Sequence, residues 1–355
     1  MTAAVHALPV SRLPSPVSRL PSPSGSRLCS TRPTINVAAD PFPDPAPVTD
    51  AYLGIDLGGT SVKIGICAAR GTVRARVRIP TEVERGSDDV IARIARAAQE
   101  LRDSVGPVAA CGIGAPGEID ISRQRLVRAN HLPGWTDVAL AYRVGDILGL
   151  PSVLENDANC AAWGEFCVGA GAGTTSLACF TLGTGVGGGL VIGGELWTGA
   201  GAAGSFGHIA IDPNGPLCRC GQRGCVEQYA SGTSIANRYG RGSARDAFDA
   251  AARGEADAIA AVDWACDGLA AGVANVVHIA QPDVVVLAGG VAAAGDALRD
   301  RVRAGVARRV RAAWLRHVRI ECSVLAHDAG WIGAAFWAAR QLAVGEYATR
   351  GLINS

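Results

Sequence analysis

The sequence predicts an α/β protein built from two related domains. Strand-like runs rich in β-branched residues alternate with helix-like runs of amphipathic spacing. Two strand–glycine turn–strand hairpins of one design, turning at Gly58 and at Gly183, stand in separate halves of the chain. A third glycine turn, at Gly289 and Gly290, follows a run of valines. With 355 residues the chain can hold two domains facing a cleft.

The first fifty residues stand apart. "SRLPSPVSRLPSPSGSRL" is an imperfect repeat of Pro, Ser and Arg, and no acidic residue precedes Asp40. Such composition predicts a disordered tail over 1–50, with a transit-type leader as the alternative. From Ala51, "AYLGIDLGGTSVKIGIC" reads as a hairpin around Gly58, Gly59 and Thr60. "SDDVIARIARAAQELRDSV" has helical spacing, with Ser87 as its expected N-cap. "VAACGIGAPG" is a buried strand, and "PSVLENDANCAAWGEF" runs from strand into helix. "TTSLACFTLGTGVGGGLVIGG" repeats the hairpin; it is uncharged, but its glycines and threonines argue against a membrane-spanning helix. "PDVVVLAGGVAAAG" joins a strand to a further helix.

Charge is balanced, at 33 basic and 32 acidic residues, so the whole chain advertises neither a nucleic-acid nor a membrane partner. Eleven cysteines, an odd count set mostly in apolar segments, indicate a reduced, cytoplasmic usage.

The glycine turns offer backbone N–H groups that can cradle phosphate oxygens. Asp56 can hold Mg²⁺ through water, and Lys63 either faces the phosphates or points to solvent. No Walker A pattern or dinucleotide fingerprint is present. Asp157, after Asn156, either caps the helix it opens or serves as a general base at a strand end. In the second role it would be ionised at neutral pH, its pKa lowered by the helix N-terminus. His208 with Cys218, Cys220 and Cys225 in "CRCGQRGC" gives one nitrogen and three thiolates, a closed tetrahedral set for structural zinc. A DNA-binding finger would need a basic recognition helix, and "VEQYASGTSIANRYG" is not one.

Together these stretches resemble the ROK family of sugar kinases, from about Ala51 to Leu342. The resemblance implies an actin-like ATPase (RNase H-like) sugar kinase fold, with a zinc-clamped loop in the second domain. It implies a small domain over 51–158, completed by a C-terminal helix at about 327–343, and a large domain over 159–326 that carries the zinc motif and a dimerisation surface. By the same resemblance, Asp56, Gly58, Gly59, Thr60 and Lys63 form the first phosphate loop, and Gly183, Thr184, Gly185 and Gly187 the second. Gly289 and Gly290 contact adenosine. Asp157 is the catalytic base, while Asn130, Asn156, His208 and Glu227 bind the sugar. ATP, Mg²⁺ and structural Zn²⁺ are the implied cofactors, a homodimer or homotetramer the implied assembly. Glucose is the expected acceptor, with another hexose or an N-acetylhexosamine as the alternative, and a sugar-binding protein or repressor as the non-enzyme reading. One position departs: family kinases carry Glu before "[FLW]-G-H", and here Ser205 stands in "GSFGH".

Overall fold

The computed structural model describes residues 50–120, 125–129 and 132–345. The expected tail over 1–50 lies, but for Asp50, outside the described residues, as does Asn130.

β1 (Ala51–Leu57), β2 (Ser61–Ala68) and β3 (Val73–Pro80) form an antiparallel meander. α1 (Gly86–Val105) follows and lays Val90, Ile91 and Ile94 on the sheet. It starts one residue ahead of Ser87, because a 3₁₀ turn over Val83–Arg85 runs directly into it. Ser87 therefore sits inside the first turn instead of capping it. β4 (Cys111–Ala115) returns parallel to β1. A small antiparallel sheet of β5 (Glu118–Ile119), β6 (Leu126–Arg128) and β7 (Thr136–Val138) precedes α2 (Leu140–Leu148). β8 (Ser152–Asn156) then pairs with β4 and passes straight into α3 (Asp157–Val168).

The pattern then repeats. β9 (Leu177–Leu182), β10 (Val186–Ile192) and β11 (Glu195–Trp197) form a second antiparallel meander. Residues 209–226 lack regular structure. They are followed by α4 (Glu227–Ala230), α5 (Gly232–Tyr239), α6 (Ala244–Ala252) and the long α7 (Ala256–Ala280). β12 (Val284–Ala288) lies parallel to β9; α8 (Asp296–Ala307) and α9 (Ala312–Leu315) lead to β13 (Arg319–Cys322), and α10 (Ala329–Val344) ends the described chain. The two sheets have the orders β3-β2-β1-β4-β8 and β11-β10-β9-β12-β13, the same path traced twice.

β9 shows how strand alternation divides the core. Ala178, Phe180 and Leu182 face the cluster built on α7, while Leu177 and Cys179 face one that includes Trp163 of α3 and Trp337 of α10. That second cluster also takes Val153 from β8, so α3 and α10 lie between the two sheets. α7 is long and apolar enough to cross a membrane, yet most of it is buried in the protein's own core. α10 returns to the first sheet, within a residue or two of the expected helix. It packs so closely that a Cβ at Gly54 of β1 would fall 1.9 Å from the Trp331 carbonyl oxygen.

Candidate active site

Asn156 ends β8 in an extended conformation, and its side chain accepts the N–H groups of Ala158 and Asn159 at 3.0 and 3.3 Å. The cap of α3 is therefore Asn156, which leaves Asp157 at the first helical position with its carboxylate in the wall of a pocket of about 200 Å³. Asn156 Nδ2 donates to the Gly117 carbonyl at 3.2 Å, so both ends of this side chain hold backbone. Asp56, Lys63, Gly289 and Gly290 line the same pocket. Lys63 does not point to solvent; it faces Asp56 across β1 and β2, Nζ to Oδ2 at 2.8 Å.

The charge balance in this pocket overturns one expectation. Asp157 is pushed up from the ordinary aspartate value to about 6, by burial first and by the Asp56 carboxylate second. The Ala158 N–H, donating to it at 2.8 Å, and Lys63 pull the other way and are outweighed. The helix N-terminus thus does not lower this pKa, because desolvation of the carboxylate costs more than the partial charges return. Asp157 still loses its proton just below neutral pH.

The first glycine turn is held by Thr81, a buried residue without a sequence signal. Its hydroxyl donates to the Gly58 carbonyl at 2.6 Å and its N–H to Thr60 O at 3.0 Å. The second turn is not part of the pocket lining. Its Gly183 carbonyl accepts from Gly232 at 2.7 Å, its Thr184 carbonyl from the Thr233 hydroxyl at 2.9 Å, and Val186 N–H donates to Glu227 Oε2 at 3.0 Å. Glu227 therefore clasps the loop after Gly185.

The glycines at and just before the start of β10 gather the remaining parts, because they have no side chains. A Cβ on Gly187 would meet Ala158 Cβ at 2.9 Å, one on Gly188 the Phe206 ring at 2.5 Å, and one on Gly185 Glu227 Oε2 at 2.5 Å. The first turn of α3, the Phe206–His208 segment and α4 thus converge on the glycines at 185, 187 and 188.

His208 and the three cysteines bring their ligand atoms within 4.8 Å of one another. Cys218 Sγ lies 3.8 Å from His208 Nδ1, and Cys220 Sγ lies 3.6 Å from Cys225 Sγ. A tetrahedral ion with bonds near 2.3 Å needs ligand separations of about 3.8 Å, so the donor set fits zinc in chemistry and spacing. Nδ1 faces the cysteines, which leaves Nε2 for another partner. Ser205 is exposed, and its hydroxyl donates to the Ala202 carbonyl at 2.8 Å.

Ala326, His327, Ala329 and Gly330, which no sequence motif singles out, close the pocket at the start of α10. The small residues of "HDAGWIGAAF" were the available signal.

Comparison with known proteins agrees with this architecture. The sequence profile of the ROK family matches residues 52–341. A glucokinase from Thermotoga maritima is 36% identical over 303 residues, covering 80% of this chain and 95% of that protein. An N-acetylmannosamine kinase from Escherichia coli is 33% identical, covering 81% and 97%. Among solved structures, a ROK family glucokinase from Streptomyces griseus in complex with glucose and AMPPNP superposes with a TM-score of 0.73 at 32% identity, covering 82% of this chain and 99% of that one.

Proposed function

The chain belongs to the ROK family and is an ATP-dependent sugar kinase, and from that premise we propose that it is a glucokinase with Asp157 as its general base. The observation that carries this reading is the division of labour at the head of α3: Asn156 caps the helix, and Asp157 faces the pocket with a pKa of about 6. A carboxylate so placed takes the proton of the attacking sugar hydroxyl as its oxygen bonds the γ-phosphorus and the bond to the β-phosphate oxygen breaks, leaving ADP. Lys63 neutralises Asp56, which would hold Mg²⁺ through water; the ion supplies charge neutralisation on the phosphates. Gly58, Gly59 and Thr60 in the first turn, and Gly183, Thr184, Gly185 and Gly187 in the second, present backbone to the phosphates. Gly290 leaves room for adenosine, since no atom lies within 4 Å of its missing Cβ. Asn130, Asn156, His208 and Glu227 would contact the sugar. His208, Cys218, Cys220 and Cys225 would hold a structural zinc that keeps the His208 segment in place.

A homodimer or homotetramer and a cytoplasmic location go with this reading. Burial pushes the Cys67, Cys111 and Cys266 thiols up to about 12, which suits cysteines used as small hydrophobes in a reducing compartment.

A second reading, an N-acetylhexosamine or other hexose as acceptor, is favoured by Ser205 and by the N-acetylmannosamine kinase relative. A hydrogen bond to a charged group contributes about 1.5–3 kcal/mol, roughly ten- to hundredfold in affinity, and serine forgoes it. ADP release measured on glucose, mannose and N-acetylmannosamine, with wild type and Ser205→Glu, separates the readings. A glucokinase should show a high glucose KM that Ser205→Glu lowers. Should the substitution damage a bulkier sugar and leave glucose unchanged, the glucose assignment fails.

A further inference from the structure

Glu165 is a fully buried carboxylate on α3, the helix that Asp157 opens. Its charge is met by hydrogen-bond donors. Oε1 accepts the Ser323 hydroxyl and the Leu325 N–H, the latter at 3.1 Å, and Oε2 accepts the Ala170 N–H at 2.9 Å. A carboxylate holding several donors in an apolar surround fixes them firmly, because each lost bond leaves a buried charge unmet.

The segment so fixed leads into the pocket. Ser323 Oγ, while donating to Glu165, accepts the Ala326 N–H at 2.8 Å. Ala326 has φ +51°, a left-handed conformation that alanine adopts only when its surroundings impose it. Ala326 and the next residue, His327, line the pocket with Asp56, Lys63 and Gly289.

We infer that Glu165 is a positioning residue for the phosphoryl-donor side of the pocket: through Ser323 it holds Ala326 left-handed and sets His327 against the bound nucleotide. This rests on the kinase reading of the same pocket. One helix then serves both reactants, with Asp157 at its first residue facing the acceptor and Glu165 two turns on bracing the donor wall.

Removing Glu165 outright risks unfolding, so the test uses Ser323→Ala, which cuts the link to Ala326 and leaves the Leu325 bond. The MgATP dissociation constant, measured by calorimetry, should rise about tenfold, because the bonds from Ser323 to Glu165 and from Ala326 to Ser323 are lost together. The sugar KM should stay within about twofold, since the acceptor side of α3 is untouched. Ala326→Gly added to Ser323→Ala should recover most of the MgATP affinity, because glycine holds φ +51° without a brace. Unchanged MgATP affinity in Ser323→Ala, an equal loss for both reactants, or no recovery in the double variant would overturn the inference. A wild type that binds MgATP but phosphorylates no sugar would sink the kinase reading alone, and the binding constants of the variants would still decide the role of Glu165. A wild type that binds no MgATP would overturn both.

Discussion

Asp157 unites two opposed demands. It must be ionised to accept a proton, yet basic enough for the transfer to be worthwhile, and a pKa of about 6 meets both near neutral pH. Asp157→Asn should lower kcat by about 10²–10⁴-fold while nucleotide binding and the α3 cap, which belongs to Asn156, survive. Turnover near wild type in steady-state assays would remove Asp157 as the base. Wild-type kcat should fall on acidification through about pH 6, as one proton binds. Stability should move in the opposite sense. The folded-state pKa is raised above the unfolded value, so between about pH 4 and 6 the folded protein binds more protons and loses stability as pH rises. Above pH 6 the whole penalty is present, and below about pH 4 it is gone. Asp157→Asn should therefore be more stable than wild type by about 3 kcal/mol at pH 8, converging with it at pH 4, as urea unfolding at the two pH values would show. The residue type and its place at a strand end were readable from "ENDAN". The direction of its pKa was not, because burial and the approach of Asp56 are tertiary facts.

At the scale of elements, the loop over residues 209–226 shows what the chain achieves without regular structure. Turns and cross-loop backbone bonds such as Ile211 N–H to Gly224 O at 2.8 Å and Cys218 N–H to Gln222 O at 2.8 Å hold it, with the isolated bridges Ala210–Cys225 and Leu217–Arg223 beside the cluster of His208 and the three cysteines. A metal ion there would tie these turns to the His208 segment, and binding it would be part of folding the loop. Cys220→Ser should lose one zinc per chain by elemental analysis and raise the sugar KM about tenfold or more, leaving the KM for ATP near wild type. Protein that is free of metal yet unchanged in sugar KM would rule the metal clip out. The gathering of His208 with Cys218, Cys220 and Cys225 was legible because cysteine spacing is a local signal. The clasp of Glu227 on Val186 was not, since it joins residues 41 apart in sequence and neither the hairpin pattern nor the glycines name a partner for the loop.

Across the whole molecule, the repeated sheet order was foreshadowed by the repeated hairpin, and the return of α10 to the first sheet followed from the family resemblance. The tightness of that return was hidden, because glycines in "CGIGA" look like weak strand residues until a helix backbone is laid across them. The same substitution at two glycines separates packing from binding. A Cβ on Gly112 of β4 would lie 1.8 Å from the Ala334 carbonyl oxygen of α10, and the obstacle is backbone, so the helix itself must shift. Overpacking of this kind costs about 1–3 kcal/mol, and more where nothing can yield. Because α10 opens with the pocket residues Ala329 and Gly330, its displacement should also weaken ATP binding. Gly290 has ordinary helical angles, φ −63° and ψ −33°, and open space where a Cβ would be. Gly290→Ala should leave the unfolding free energy from urea titration within about 0.5 kcal/mol of wild type while raising the KM for ATP, since its methyl would stand in the pocket. Gly112→Ala should lose at least about 2 kcal/mol and carry a raised ATP KM with it. If Gly112→Ala unfolds at the wild-type midpoint, α10 does not lie on β4 as described. If Gly290→Ala binds ATP as the wild type does, the donor does not reach the third glycine turn.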